Sequence, residues 1–339
     1  MKKYFLLIAI ILFASCNNTK NNKSTIRVGW QTAWATQGQI IQAMEHTNIP
    51  NLCSLDINFL NFLFGPDLNE AAITDNIDVT NAGIVPVVNL LSASENWIII
   101  GRQVDFLLSV VARKGANIKG IKDLKGKKFG IPIAGGSHPY AIKLLKENGL
   151  EIGVGPNKVE IINIKPSEMP ITMKQGDIDA IACWEPTTTL AIDAGGIVID
   201  EERYVGFICA NKTFCEANRK TVVNLMKAYI LGNIYVANHR EKTDKWFSEV
   251  SGTSINLINR IKVIEPNVNA KTIQEGKFLV DSTSIKLLQE VFILMKSLNL
   301  VKSEINFSKI INMEYTMQAL SELEKHPITF LDIKDINDK

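Results

Sequence analysis

The chain predicts an α/β fold in two lobes, on three observations. Short apolar strand-like runs alternate with helical patterns from residue 25 to about residue 210. One strand–turn–helix phrase occurs twice. About 315 residues follow the N-terminal leader, a length that suggests two domains rather than one.

The elements follow in order. Ile26-Arg27-Val28-Gly29-Trp30 reads as a strand and Gln37–His46 as the helix after it. Leu55–Phe62 is the next strand. Gly65-Pro66-Asp67 then starts a helix, with Glu70 placed for a capping box to Asp67. Asp78-Val79-Thr80-Asn81 is a short strand leading through Gly83 to Pro86 and an apolar helix ending at Leu91. Trp97–Arg102 and Phe106–Arg113 are two further strands.

An apolar strand at Phe129 then runs into Gly135-Gly136-Ser137-His138-Pro139 and an amphipathic helix. Glycines let a backbone approach its neighbours closely, and proline suits the first helical turn. Ser137 or His138 is placed to cap the orphan N–H groups of that turn, which otherwise point at a polar or anionic ligand. Val159–Ile164 and a helix from about Pro166 to Gln175 come next.

The stretch from Gly176 to Pro186 repeats the grammar of Asn76 to Pro86. Each opens on Ile-Asp, runs through a short apolar strand and reaches a proline seven or eight residues later. In parallel α/β sheets ligands sit beyond the carboxyl ends of strands, so both lobes offer those ends to a shared cleft.

From Phe214 onward the pattern is helical, over Arg219–Asn238, Thr243–Ser251, Ser254–Ile261, Ser282–Leu298 and Met313–Glu324. Met226, Tyr229, Phe292 and Met295 in these helices read as core.

The N-terminus has the form of an export signal: Lys2 and Lys3, an apolar run from Tyr4 to Phe13, then Ala14-Ser15-Cys16. That run is shorter than the ~20 apolar residues a membrane span needs. Cys16 after two small residues looks like a bacterial lipobox, with Phe13 where leucine is usual, and is the expected lipidation site; the alternative is a plain cleaved signal with an incidental cysteine. Asn17 to Ser24 is a polar, asparagine-rich tether. Residues 1–24 are thus signal and tether.

Removing residues 1–15 takes two lysines and lowers the formal charge from +2 to 0, which argues against a nucleic-acid partner. Cys53, Cys183, Cys209 and Cys215 remain. Export permits disulfides, and Cys209 with Cys215 is placed to close a small loop, whereas Cys183 in an apolar strand reads as a buried small hydrophobe. There is no Cys-x-x-Cys, and His46, His138, His239 and His326 are scattered, so no metal site is expected.

The order of these segments resembles the type 2 periplasmic substrate-binding proteins of ABC importers, in the branch for sulfonates, taurine, nitrate and thiamine-precursor pyrimidines. Four phrases carry the likeness: Ile26 to Gln31; Asp123-Leu124-Lys125-Gly126-Lys127-Lys128-Phe129-Gly130-Ile131-Pro132; Gly135 to His138; and Gly176 to Ala180 with Trp184-Glu185-Pro186. The likeness extends from residue 25 to about residue 325.

The resemblance implies two lobes, residues 25–104 with 207–339 and residues 105–206. Each is a mixed, mostly parallel sheet flanked by helices, with a C-terminal helical segment. Crossovers near Arg102–Leu107 and Glu202–Phe207 join them. The implied partners are a small-molecule solute, an ABC permease with its separate ATPase and, through the lipid, the membrane. No cofactor and no catalytic residue is implied.

Carried onto matching positions, the cleft is lined by Gln31, Trp34, Asn81, Gly83, Gly136, Ser137, His138, Trp184 and Glu185, with Gly65-Pro66 on a further loop. Each has a structural alternative. Ser137 is a ligand contact or a helix cap, and His138 a ligand contact or a structural hydrogen-bonding group. Trp184 is a cleft wall or a core residue, Trp34 reads as a wall, and Glu185 reads first as a cap for the helix at Pro186. Few hydroxyl donors stand in the turn at Ser137, so the substrate class is open between an oxyanion held by backbone N–H groups and a planar or aminated organic solute.

Two other functions share the cleft. One is an enzyme on the same fold, although the cysteine-rich segment of pyrimidine synthases and any Gly-x-Ser-x-Gly elbow are absent from the sequence. The other is a ligand-sensing lipoprotein.

Overall fold

The computed structural model describes residues 25–336, so Cys16, the leader and the tether lie outside the described residues. Nine strands form one sheet in the order β2-β1-β3-β9-β4-β8-β5-β7-β6. They are β1 (Ile26–Gln31), β2 (Ile57–Phe62), β3 (Val79–Gly83), β4 (Trp97–Ala112), β5 (Lys128–Ile131), β6 (Glu151–Ile152), β7 (Lys158–Asn163), β8 (Ala180–Cys183) and β9 (Ile197–Asn211).

The expected strands Trp97–Arg102 and Phe106–Arg113 are one 16-residue strand, β4, which runs antiparallel to β9 along almost its whole length. The ladder slips between Arg102 and Asp105 rather than ending there. Ile98, Ile99 and Ile100 before the slip and Phe106, Val110 and Val111 after it keep the strand going.

This pair sets the geometry of the rest. β3 is antiparallel to β9, and β8 is antiparallel to β4. β1 and β2 run parallel with β3, and β5 and β7 run parallel with β8. The two parallel sets therefore point in opposite senses, and their carboxyl ends face each other across the middle of the sheet.

One core cluster extends through both halves and includes Trp30, Trp97, Phe129 and Phe207, each essentially inaccessible to solvent. Burying such a side chain contributes roughly 2–3 kcal/mol. A second, smaller cluster (Val111, Met173, Ile178, Ile181, Cys183) lies under the β5–β8 half. Helix Arg219–Asn238, with the bounds read from sequence, packs against Ala35–His46 and Glu314–Lys325. Met226, Tyr229, Phe292 and Met295 are buried, as read.

Two local expectations are corrected. The helix Gly65–Ile73 has Phe64 at its N-cap and no side-chain cap, so Asp67 and Glu70 form no capping box. The chain enters this helix one turn earlier than the box would require, and Asp67 lies in the first turn, where its charge suits the helix dipole. Cys209 and Cys215 are both buried free thiols, Cys209 within β9 and Cys215 in the helix Lys212–Ala217 that follows it.

At the slip in β4, charges are buried rather than exposed. Arg102 makes a bidentate pair with Glu265, at 3.1 and 2.6 Å, and lies 3.0 Å from Asp105. The Asp105 N–H donates to Glu265 at 2.6 Å, and Arg203 of β9 donates twice to the Asp105 carboxylate. The Arg102 and Glu265 side chains are 3% and 1% exposed. Burial works against the Arg102 charge, but the hydrogen bonds and fields of Glu265 and Asp105 outweigh it and hold the guanidinium above its ordinary pKa. Removing one partner of a buried pair strands the other charge. Glu265→Ala is expected to cost about 3–5 kcal/mol of stability, read from chemical denaturation midpoints; a loss below about 1 kcal/mol would show the clamp to be dispensable.

Candidate functional site

The site expected from sequence lies where the two sets of carboxyl ends meet, and there the halves are in direct contact. The Trp184 indole N–H, just past β8, donates to the Ala33 carbonyl just past β1, at 2.9 Å. Glu185 accepts from the Thr189 N–H and hydroxyl at 3.1 and 3.0 Å, satisfying the first turn of helix Thr187–Asp193 as a cap should. It also accepts from the Lys262 backbone N–H at 3.1 Å, and Lys262 Nζ pairs with Glu201. Burial raises the Glu185 pKa, and the hydrogen bonds from Lys262 and Thr189 oppose that rise.

Gln31 and Asn81 belong to a buried amide network. Gln31 Nε2 donates to the Asn81 carbonyl at 3.0 Å, and its own N–H donates to Gln37 Oε1 at 2.9 Å. Asn81 Nδ2 donates to the Gly29 carbonyl, and its Oδ1 accepts from Gln103 Nε2 at 2.7 Å. The network ties β1, β3 and the slip in β4 together. Sequence reading missed Gln37 and Gln103, because polarity alone does not distinguish a buried amide from an exposed one.

Trp34 is 4% exposed and wedged against the crossover, its ring 4.8 Å from that of Phe106. Gly206 makes room for it: a Cβ there would lie 2.4 Å from Trp34 Cη2. Gly83, paired with Gly206 in the β3–β9 ladder, lies under Phe106, and Gly136 lies under the Trp184 ring. Trp34 Nε1 and Gln37 Nε2 are buried donors that find no acceptor among the described residues.

Ser137 is fully buried at the N-cap of helix His138–Glu147, but it makes no side-chain cap. Its hydroxyl donates instead to the Ala182 carbonyl of β8 at 2.7 Å, which corrects the expectation that it caps the turn. His138 does not cap either. Its Nδ1 accepts from the Ala134 N–H at 3.3 Å, across a turn in which Ala134 has a positive φ of 61°.

Beside these packed residues a chamber of about 370 Å³ stays open between the halves. Thr32, Ala33 and Leu63 line it from the β1–β3 half, and Ser167, Thr187 and Leu190 from the β5–β8 half. Residues 251–257 close the third side with Thr253 and Leu257. Among its described lining residues, Asp193 and Arg260 are the charged ones. The volume falls in the range of small-molecule sites, and the mix of apolar walls with a few polar groups is typical of them.

Thiol chemistry is disfavoured. Burial pushes the thiols of Cys53, Cys183 and Cys215 up to about 12 and raises that of Cys209 as well, while the reactive form is the thiolate.

A two-sided α/β sheet with facing carboxyl ends and a chamber between them is a fold shared with solved periplasmic binding proteins. The comparisons agree. Residues 100–243 match the family described as NMT1/THI5 like. An Escherichia coli (strain K12) protein named for binding aliphatic sulfonates is 20% identical over 253 residues, 73% of this chain and 77% of that protein. The crystal structure of the periplasmic aliphatic sulphonate binding protein SsuA from Escherichia coli superposes with a TM-score of 0.69 at 17% identity, covering 86% of this chain and 99% of that one. The desulfurization enzyme DSZB superposes with a TM-score of 0.63 at 13% identity, over 88% and 99% of the two chains. The resemblance read from the four sequence phrases therefore holds, and the fold is the one it implied.

Two variants test the packing. Burial lowers the His138 pKa, and protonation of Nδ1 would break its bond to Ala134. The unfolded chain then binds more protons than the native one below pH ~6.5, so stability falls as pH drops through that point toward the lower native pKa. His138→Asn keeps an acceptor without the titration and is expected to flatten the change in urea midpoint between pH 7.5 and 5. An unchanged slope would assign the acid sensitivity elsewhere. Gly206→Ala is expected to cost about 1–3 kcal/mol by displacing Trp34, with a shift in tryptophan emission; a silent substitution would mean that Trp34 is not held as described.

Proposed function

We propose that this chain is the solute-binding component of an ABC importer, capturing a small organic or oxyanion solute between its two lobes and delivering it to a permease. The observation that carries this reading is the chamber itself. It opens beyond the carboxyl ends of strands from both halves, where α/β sheets place their ligands. The lobes are residues 25–104 with 207–339 and residues 105–206, joined at the β4–β9 crossover. The relatives' names, which specify sulfonate binding and the periplasm, support a solute role and export.

The leader and Cys16 support a lipid anchor as the means of holding the protein at the membrane. ATP hydrolysis belongs to a partner, since the sequence has no Gly-x-x-x-x-Gly-Lys-Ser/Thr loop. Gln31, Trp34, Asn81, Gly83, Gly136, Ser137, His138, Trp184 and Glu185 form the inner wall of the junction, which sets how the lobes meet behind the solute. DSZB shows that the fold also serves an enzyme. The buried, weakly acidic thiols favour binding without chemistry.

The test is native mass spectrometry of the exported chain, followed by a thermal-shift screen over sulfonates, nitrate, pyrimidines and amines. A true solute at a hundredfold its Kd adds about 2.7 kcal/mol to stability. A chain that copurifies with nothing and shows no shift across the screen would overturn the reading; chemical conversion of a bound solute would favour the enzyme.

A further inference from the structure

We infer that Arg260 reads the acid group of the solute, and that Asp193 is a resident counter-ion which the solute displaces. The inference rests on the chamber being the solute site. Asp193 and Arg260 are the charged residues among its described lining, so any charge-based recognition within the chamber falls to them.

Arg260 presents a pre-formed fork. Its Nη1 and Nη2 each donate to one Asp193 oxygen, at 2.7 and 2.6 Å, which is the bidentate geometry that a sulfonate or carboxylate would also use. Its Nε is occupied separately, donating to the Asn256 carbonyl at 3.0 Å. The guanidinium is thus tied to its own segment at Nε independently of Asp193.

Asp193 is the weaker partner. It is the last residue of the helix Thr187–Asp193, where the helix dipole disfavours a negative charge. Its side chain is 38% exposed, so solvent screens the pair and exchange for another anion is cheap. The rest of the chamber supplies hydroxyls and apolar walls, from Thr32, Ser167, Leu190 and Leu257, suited to the uncharged remainder of such a solute.

The two members of the pair predict opposite effects, which separates recognition from a purely structural latch. The probes are 1-butanesulfonate, pentanoate and the neutral 1-butanesulfonamide, titrated calorimetrically into the exported chain. The wild type should bind one or both acids and discriminate against the sulfonamide, and the acid it prefers identifies a sulfonate or a carboxylate solute. Arg260→Gln should weaken acid binding by about tenfold to a hundredfold, the loss expected for a bidentate charge-assisted contact. Asp193→Asn should tighten it by about twofold to fivefold, by removing the competitor.

If both variants weaken binding, the pair is a latch and the inference fails. If Arg260→Gln binds as the wild type does, or if the sulfonamide binds as tightly as the acids, the inference fails while the solute-site reading stands. If the wild type binds none of the three probes and shows no shift in the wider screen, both fail.

Discussion

The antiparallel pairing of β4 with β9 is the constraint on which the rest of the molecule depends. Both strands pass from one half of the sheet to the other, so each half inherits its direction from them. Parallel strands added outward on either side must then run in opposite senses, and their carboxyl ends face each other. The site is a consequence of this topology rather than of any single motif. The buried Arg102–Glu265 pair sits where the ladder slips, and it fills with fixed charge a place where two strands would otherwise expose unpaired polar backbone. Such a pair is a weak source of net stability but a strong specifier of one arrangement, because any alternative leaves a charge buried alone.

The inner wall of the junction shows the same economy of polar groups. Gln31 Nε2 and both polar atoms of the Asn81 amide are engaged with backbone and with Gln103, and Ser137 uses its hydroxyl on β8. A buried group already satisfied has little to offer a ligand, since a new bond must replace an old one. The polar groups bordering open volume are instead the hydroxyls, the carbonyls and the Asp193–Arg260 pair of the chamber. The nine residues singled out in the sequence are packed at the junction, and the residues that line the chamber are their neighbours in the chain, such as Thr32, Ala33, Pro186 and Thr187, together with the segment that holds Arg260.

Much of the fold was legible in the sequence because strand and helix periods are local. Arg219–Asn238 has the same bounds in both readings, and the paired phrases at Asn76 and Gly176 do lead into β3 and β8. What was not legible is what depends on distant partners. The continuity of β4 through Arg102–Phe106 is supported by β9 and by Glu265, far away in the chain, so the polar stretch there reads as a break. Ser137 reads as a cap because serine before a helix usually is one; the competing acceptor, the Ala182 carbonyl, comes from a strand 45 residues later. Arg260 carries no sequence signal, since an arginine among the apolar residues of an amphipathic segment such as Ser254–Ile261 is ordinarily on its solvated face. Its significance appears only once Asn256 and Asp193 are seen to hold its three donor nitrogens.

The segment from Arg260 to Glu265 connects these features mechanically. Arg260 and Lys262 bond to Asp193, Glu185 and Glu201, all in the residue 105–206 portion, while Glu265 is fixed in the charge cluster at the slip of β4. Even fully extended, five residues span no more than about 18 Å, so the segment cannot follow the far half through a large separation while Glu265 stays in place. The cluster at Glu265 is buried and bidentate, whereas the contacts of Arg260 and of Lys262 Nζ are largely exposed. Interactions between exposed charges are worth a fraction of a buried pair broken one-sidedly. The junction is therefore pinned firmly at the slip of β4 and only lightly beside the chamber. The lightly held side is the one that Arg260 borders, where the two charged residues of the chamber's described lining meet.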